Sequence, residues 1–344
     1  MTTPTRRATA GMVAEAAGVS RVAVSRAFNP EASLDAEKRA RILEIARRMN
    51  YAPDRAARAL KMRRSHLVGV IVPDVCSPWE SQEIDALTTA LQERGLGTLL
   101  FKTRADLTLA DATLRNLRSF NLDSVIAFAE SVGPDRLRPY LDRAVPIYVD
   151  YLGAGTPATA LADVDRLEID LVPGMTQAVA LLAGHGARRV AYLSGRPGSQ
   201  AERSRRATLE ALLSARGLPP PRVAAGDFTY ATARQATLDL FRLDGGADAI
   251  FAANDESAFG AMDALRHGLG LAVPGDVHVV GFDDIAQSGW DSYALTTVKI
   301  DLAARVQALV RLILRRTGQP EAPPLREALP TSLVVRNTVG GGAP

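Results

Sequence analysis

"MVAEAAGVSRVAVSRAFN", residues 12–29, sets two short stretches of small and apolar residues on either side of Gly18. Met12 to Ala17 reads as a helix with Val13, Ala16 and Ala17 turned inward. Glycine suits the left-handed position that stops a helix. Ser20 is a good N-cap for a second helix through Val22, Val24, Ala27 and Phe28. Two short helices around a tight glycine turn form a helix-turn-helix, whose second helix enters the DNA major groove N-terminus first. Arg21, Val22 and Ser25 then face base edges, and Arg26 follows one turn on. Arginine can pair bidentately with guanine and valine can touch a thymine methyl. Ser20 and Asn29 flank this face as further candidate contacts. The competing reading is a helical hairpin that only packs.

Charge favours the first reading. Residues 1–64 hold 14 Lys and Arg against 6 Asp and Glu, a balance of +8, whereas the rest of the 344-residue chain balances at −5. A basic head on a mildly acidic body points to a polyanion at one end only. A third helix is expected from Asp35 to Met49, with Ala40, Leu43, Ile45 and Ala46 inward and the basic residues outward. "NYAPD" breaks it at Pro53. Asp54 then caps a short helix through "RAARALKM", whose alanines permit close approach to a twin copy or a groove floor. Arg58, Leu60 and Lys61 are its candidate DNA contacts, Leu60 as an apolar wedge. The plainer alternative is a linker that happens to be helical.

After Ser65 the pattern changes to strands alternating with helices. "HLVGVIV", "LGTLLF", "DSVIAFA" and "VPIYVD" come first, then "RVAYLS", "RVAAGDF", "DAIFAA" and "VHVVGF". Apolar strands separated by helices form parallel sheets covered on both faces. Eight such units make two similar lobes rather than one sheet. "LTTVKID" is expected to return the chain to the first lobe, "TSLVVR" to be a last strand, and "NTVGGGAP" to be disordered. Doubly wound sheets bind ligands beyond the carboxyl ends of their strands. Asp74, Asn254, Asp255, Asp283 and Asp284 stand at such ends, where caps and turns are the ordinary alternative.

"MVAEAAGVSRVAVSRAFN", "NYAPDRAARALKMRRS" and "LVGVIVPDVCSPW" together resemble the LacI/GalR family of bacterial transcription regulators. The likeness runs to about residue 336. It implies an N-terminal all-α helix-turn-helix domain at 1–50, a hinge helix within 51–64, and an α/β effector-binding domain at 65–344. That domain is expected as two doubly wound, periplasmic-binding-protein-like lobes, the first about 65–163 and 295–325, the second about 164–294 and 326–338. The resemblance makes Leu60 the minor-groove wedge. It makes Asn254, Asp283, Arg205, Phe228, Trp79 and Asp170 effector contacts. A guanidinium, carboxylates, an amide and two aromatic faces suit a polyhydroxylated ligand such as a sugar, although Trp79 and Phe228 also fit as core aromatics. The chain departs from the family's usual residues at Ala23 (threonine), Glu80 (an aromatic), Leu171 (asparagine) and Ile300 (glutamine).

Enzyme signatures are scarce: the sequence has no GxxxxGK[ST], HExxH, CxxC or GxSxG. Asp255 and Glu256 could form an acid/base pair, but no nucleophile stands beside them. No catalytic residue, metal ligand or cofactor is expected. Neither a secretory signal nor an apolar run of the ~18 residues a membrane span needs is evident. The single cysteine, Cys76, fits a reducing compartment. The expected partners are a near-palindromic DNA operator, a sugar-like effector and a second copy of the chain, with no membrane. The expected location is the cytoplasm, at the nucleoid. The rival readings are a two-lobed solute-binding protein, which would lack the basic head, and a regulator with a vestigial pocket.

Overall fold

The computed structural model describes residues 8–29, 32–52, 64–73, 75–103, 107–128, 131–141, 145–152, 164–243 and 245–340. Contacts divide the chain into two units, 1–65 and 66–344.

The head is three helices, α1 (Ala10–Ala17), α2 (Arg21–Ala27) and α3 (Ala36–Arg48). Side chains start each one: Thr9, Ser20 and Asp35 accept from the backbone N–H of Met12, Ala23 and Lys38. Gly18 stops α1 at φ 61°, and the Val19 N–H turns back to Ala14 O at 2.9 Å. That reversal packs α1 on α2 around Val13, Val24, Ile42 and Ala46. Two inward assignments are corrected. Ala16 is exposed and Ala14 buried, and on α3 Ile42 faces inward where Ala40 is exposed. One basic residue of α3 also turns in. Arg39 donates to the carbonyls of Arg26, Ala27, Asn29 and Ala32 at 2.6–3.1 Å, closing the chain that leaves α2.

The body carries two six-stranded sheets. The first has the order β11-β5-β4-β3-β1-β2, built from β1 (Leu67–Val72), β2 (Gly97–Lys102), β3 (Ser124–Phe128), β4 (Val145–Leu152), β5 (Asp165–Asp170) and β11 (Arg326–Pro330). The second has the order β12-β10-β9-β8-β6-β7, from β6 (Val190–Leu193), β7 (Arg222–Ala224), β8 (Ala249–Ala252), β9 (His278–Asp283), β10 (Thr296–Lys299) and β12 (Ser332–Val334). Every pairing is parallel except β10 with β12. Apolar runs such as Val68–Val72 and Ala249–Ala252 are buried along their length, as strands covered on both faces must be. The covering helices are α4 (Pro78–Gln92), α5 (Leu107–Arg118), the short α6 (Pro134–Leu137), α7 (Val172–Gly184), α8 (Gln200–Ser214), α9 (Tyr230–Leu243), α10 (Asp255–Asp263) and α11 (Leu302–Gly318).

The chain passes between the sheets three times, at β5–α7, β10–α11 and β11–β12. This moves the expected lobe edges. β5 pairs with β4 and so belongs to the first sheet. β10 pairs with β9 in the second sheet, so "LTTVKID" crosses back only after Lys299. β11 pairs with β5 in the first sheet, where the second lobe was expected to resume. Thr331 ties two crossings together: its N–H and hydroxyl both donate to Asp170 O, and its hydroxyl accepts from Gly174 N. A Cβ at Gly174 would lie 2.8 Å from that hydroxyl, so the close approach requires glycine. The expected disorder after Asn337 is also corrected, because Thr338 is fully buried. Its hydroxyl donates to Val279 O at 2.6 Å and accepts from Thr296 N at 2.8 Å. Residues 341–344 lie outside the described residues.

Candidate functional site

On the head, α2 buries Ala23, Val24 and Ala27. Helical spacing then leaves Arg21, Val22, Ser25 and Arg26 on the opposite side, all exposed. Val22 is 60% exposed, far more than packing alone would leave a valine, so its apolar contact is unused within the head. The Arg21 guanidinium lies against Gly11, where an added Cβ would stand 3.0 Å from Nη2. Ser20 Oγ is spent on the N-cap, and Asn29 on the turn that follows: its N–H donates to Arg26 O and its carbonyl accepts from Arg39. Arg58, Leu60 and Lys61 lie outside the described residues.

In the body, a cleft with about 810 Å³ of empty space, open mouth included, collects Trp79, Arg205, Phe228, Asn254 and Asp283. These come from α4, α8, the turn after β7, the end of β8 and the end of β9. Arg205 is buried at its floor. Its Nη1 donates to Ala253 O at 2.5 Å, its Nη2 lies 3.2 Å from Asp283 Oδ1, and its guanidinium stacks 3.8 Å above the Phe282 ring. Burial pushes the Asp283 carboxyl up to about 8. Arg205 opposes this, while the nearby Asp255 and Glu80 carboxylates add to it. A backbone φ of 118° holds Asp283 in a conformation unusual for a residue with a side chain. Asn254 has two structural duties: it caps α10 through Ser257 N and donates to Phe228 O at 3.0 Å. Phe228, itself at φ 73°, lays its ring on Gly195, where a Cβ would come within 2.1 Å of it. Trp79 is nearly buried yet borders the cleft.

Other candidates fall elsewhere. Asp74 is outside the described residues. Asp170 precedes α7, its Oδ1 accepting from Val172 N at 3.0 Å across a local turn, and it does not line the cleft. Asp255 is also absent from the lining. It is fully buried and accepts from Ile285 N, Ser288 Oγ and Thr297 Oγ1, which locks β8 to the segments around β9 and β10. Burial raises its carboxyl to about 6 despite those bonds. Asp284 pairs with Arg336 and Lys299. Leu171 and Ile300 are buried, so the apolar residues at these two departures join the core. Glu80 borders the cleft and forms a capping box with Ser77 at the start of α4.

Sequence reasoning missed Tyr151, Arg196 and Asp227 and named Glu256 only as half of an acid/base pair; all four line the cleft. It also missed Asp150, whose Oδ1 accepts from Gln200 Nε2 at 3.1 Å between β4 and α8, and whose carboxyl burial raises. Asp150 ends "VPIYVD" and Tyr151 follows it, at the kind of strand end where ligands are expected. Burial, with the Glu80 carboxylate adding to it, raises Glu256 as well. Among the described residues no cluster of three or more His, Cys, Asp and Glu side chains could hold a metal, and no helix is long and apolar enough to cross a membrane.

Comparison with known proteins agrees with this division. Residues 12–54 match the model of bacterial regulatory proteins of the lacI family, and 179–339 that of the periplasmic binding protein-like domain. The HTH-type transcriptional regulator CelR of Thermobifida fusca is 30% identical over 341 residues, covering 97% of this chain and 98% of its own. A lac repressor dimer crystallised on operator with the anti-inducer ONPF superposes with a TM-score of 0.85 at 25% identity, covering 97% of this chain and 99% of that one. A CelR–cellobiose complex superposes at 0.69 with 27% identity, over 96% and 100% of the two chains. Two α/β lobes behind a helix-turn-helix, alike over nearly the full length, place the chain in the lacI family of bacterial regulatory proteins.

Proposed function

We propose that this chain is a transcriptional repressor that binds a near-palindromic operator as a homodimer and changes its grip when a sugar occupies the cleft. The observation that carries the reading is one chain holding both an exposed Arg21–Val22–Ser25–Arg26 face on a capped helix and a cleft floored by the Arg205–Asp283 pair. A helix with a bare valine and two arginines on one side suits the major groove. Two copies related by a twofold axis present such helices one DNA turn apart. The basic residues of the head add a salt-sensitive phosphate contribution. Leu60, flanked by Arg58 and Lys61, is assigned the central minor groove, where an apolar wedge bends the duplex. In the cleft, Arg205, Asp283 and Asn254 are assigned to sugar hydroxyls, with Phe228 and Trp79 against C–H-rich faces. Operator and effector affinities are then coupled reciprocally. On this reading the protein works in the cytoplasm, on the nucleoid, and performs no catalysis. The test is selection of bound fragments from random duplex DNA, with and without a panel of sugars. Enrichment of a palindromic site, shifted by at least one sugar, is expected. No enrichment over non-specific duplex sinks the reading.

A further inference from the structure

Gly11 sits in the first turn of α1, where the backbone does not call for glycine. It is helical there, unlike Gly18, whose left-handed φ of 61° favours a residue without a side chain. Among residues other than proline, glycine forms helices least well, because it loses the most chain entropy. The core does not call for a small residue at this place either, since α1 buries Val13, Ala14 and Ala17. The three heavy atoms nearest to a Cβ built at Gly11 all belong to one exposed side chain. They are Arg21 Nη2 at 3.0 Å, Nε at 3.2 Å and Cζ at 3.4 Å. The space that a side chain at position 11 would fill is where the Arg21 guanidinium lies.

Neither hydrogen bonding nor charge accounts for this position. Among the described residues Arg21 makes no hydrogen bond or ion pair, so its donors are unspent. A cation beside the first turn of a helix also meets the positive end of the helix dipole. What remains is shape. An exposed arginine has wide rotamer freedom, and a seat against the neighbouring helix restricts that freedom without using a donor. Arg21 is the first residue of α2, at the end of the helix that meets base edges in the major groove.

We infer that Gly11 is a positioning residue for base reading: its empty side-chain space seats the Arg21 guanidinium along α1, and from that seat the guanidinium meets the acceptor edge of a guanine. The inference rests on the reading that α2 enters the major groove. It adds a residue that touches no base and yet sharpens the choice of base. An alanine at position 11 crowds the guanidinium and shifts it slightly. A leucine fills the seat and turns Arg21 out towards solvent. Arg21 is exposed and has other rotamers to adopt, so either change falls on its aim and spares the fold.

The experiment uses the full chain, the site selected from random duplex, and copies of that site with one base pair changed at a time. Fluorescence anisotropy at one fixed salt concentration gives each affinity. Arg21→Ala is expected to erase discrimination at one base pair, a G·C pair in the unaltered site. Gly11→Leu should cut discrimination at that same base pair by about tenfold, leaving binding to random duplex hardly changed. Gly11→Ala should give a smaller loss in the same direction. Its α1 amides should exchange hydrogen no faster than before, because alanine extends a helix better than glycine. A merely structural role would instead speed that exchange. In a chain already carrying Arg21→Ala, neither change at position 11 should have a further effect. Should Gly11→Leu fail to fold, Gly11→Ala with and without Arg21→Ala makes the same comparison. Discrimination kept in full by the Gly11 variants, a tighter site in Gly11→Ala, or equal losses with and without Arg21 overturns the inference. Unaltered discrimination in Arg21→Ala overturns it too, since Gly11 then has nothing to aim. In each of these cases the repressor reading stands. If the unsubstituted chain prefers no duplex sequence, both fall.

Discussion

Arg205 Nη2 stands 3.2 Å from Asp283 Oδ1, joining residues 78 apart in sequence at the floor of the cleft. The guanidinium is also fixed by Ala253 O and the face of Phe282, so it is held in place before any ligand arrives. Preorganisation of this kind lowers the entropic cost of binding.

Arg205→Ala should therefore abolish the effector response and leave operator affinity in the absence of effector nearly unchanged. A hydrogen bond from a charged donor contributes about 1.5–3 kcal/mol, so effector affinity should fall roughly 10- to 100-fold. Calorimetry with the sugar and anisotropy with operator DNA measure the two halves. Equal losses in both would show that Arg205 supports the whole body rather than the site.

Stability should decline from pH 5 to pH 8.5 at constant ionic strength. Asp255 and Asp283 bind protons more tightly folded than unfolded, their carboxyls being raised to about 6 and about 8 from 3.8. Their stabilising contribution is fully present below 3.8 and is lost as pH rises through those two values. The lowered carboxyls, Asp227 and Asp248, act in the opposite sense but only near and below 3.8. Asp283→Asn should flatten the fall above pH 6. Thermal unfolding midpoints that climb across this range would contradict the assignment.

Arg39→Ala should weaken operator binding without touching DNA. The side chain closes four exposed or part-buried carbonyls at the end of α2, and a hydrogen bond contributes about 0.5–1.5 kcal/mol net. Arg39→Lys, which lacks the guanidinium fork, should recover only part of the loss. Helical circular dichroism of the head during heating follows the stability, and anisotropy follows the binding.

Arg21→Ala and Val22→Ala should behave oppositely to Arg39→Ala. Both residues are exposed, and such substitutions usually move stability by no more than ~0.5 kcal/mol. A bidentate arginine–guanine pair is worth about 1–3 kcal/mol of discrimination. Binding to the selected operator should drop while binding to random duplex hardly changes. A uniform loss on all sequences would assign Arg21 to phosphate.

Leu60→Ala should likewise weaken specific binding far more than non-specific binding, because only a seated hinge inserts the wedge. Gel shifts on operator and on scrambled duplex separate the two. Losses of equal size would remove the wedge from the account.

Local features were legible in the sequence because they depend on near neighbours. Gly18 stops α1 and Ser20 starts α2 through bonds spanning a few residues. The strand runs stood out because strands covered on both faces are apolar throughout. What failed was recognition of β5 and β11, which the pattern did not mark as strands, and the assignment of β10 to a sheet. β5, β10 and β11 are short segments whose sheet is settled by partners far along the chain, as in the pairing of Arg326–Pro330 with Arg166–Asp170. The strand-end rule singled out Asp255, Asp283 and Asp284 alike, yet of these three only Asp283 lines the cleft.

The amino-acid order by itself determined the capped helices, the glycine turn, the basic head and the apolar strands, since steric preference, capping and periodicity act over a few residues. Only the tertiary structure decided which polar side chains share a cavity. Glu83 and Arg305 are 222 residues apart and meet because α4 and α11 pack together over the first sheet. Asp255 is withdrawn from the cleft because three donors from distant segments converge on it. The cost of leaving buried charge unpaired is a property of the assembled core, and no stretch of chain carries it alone.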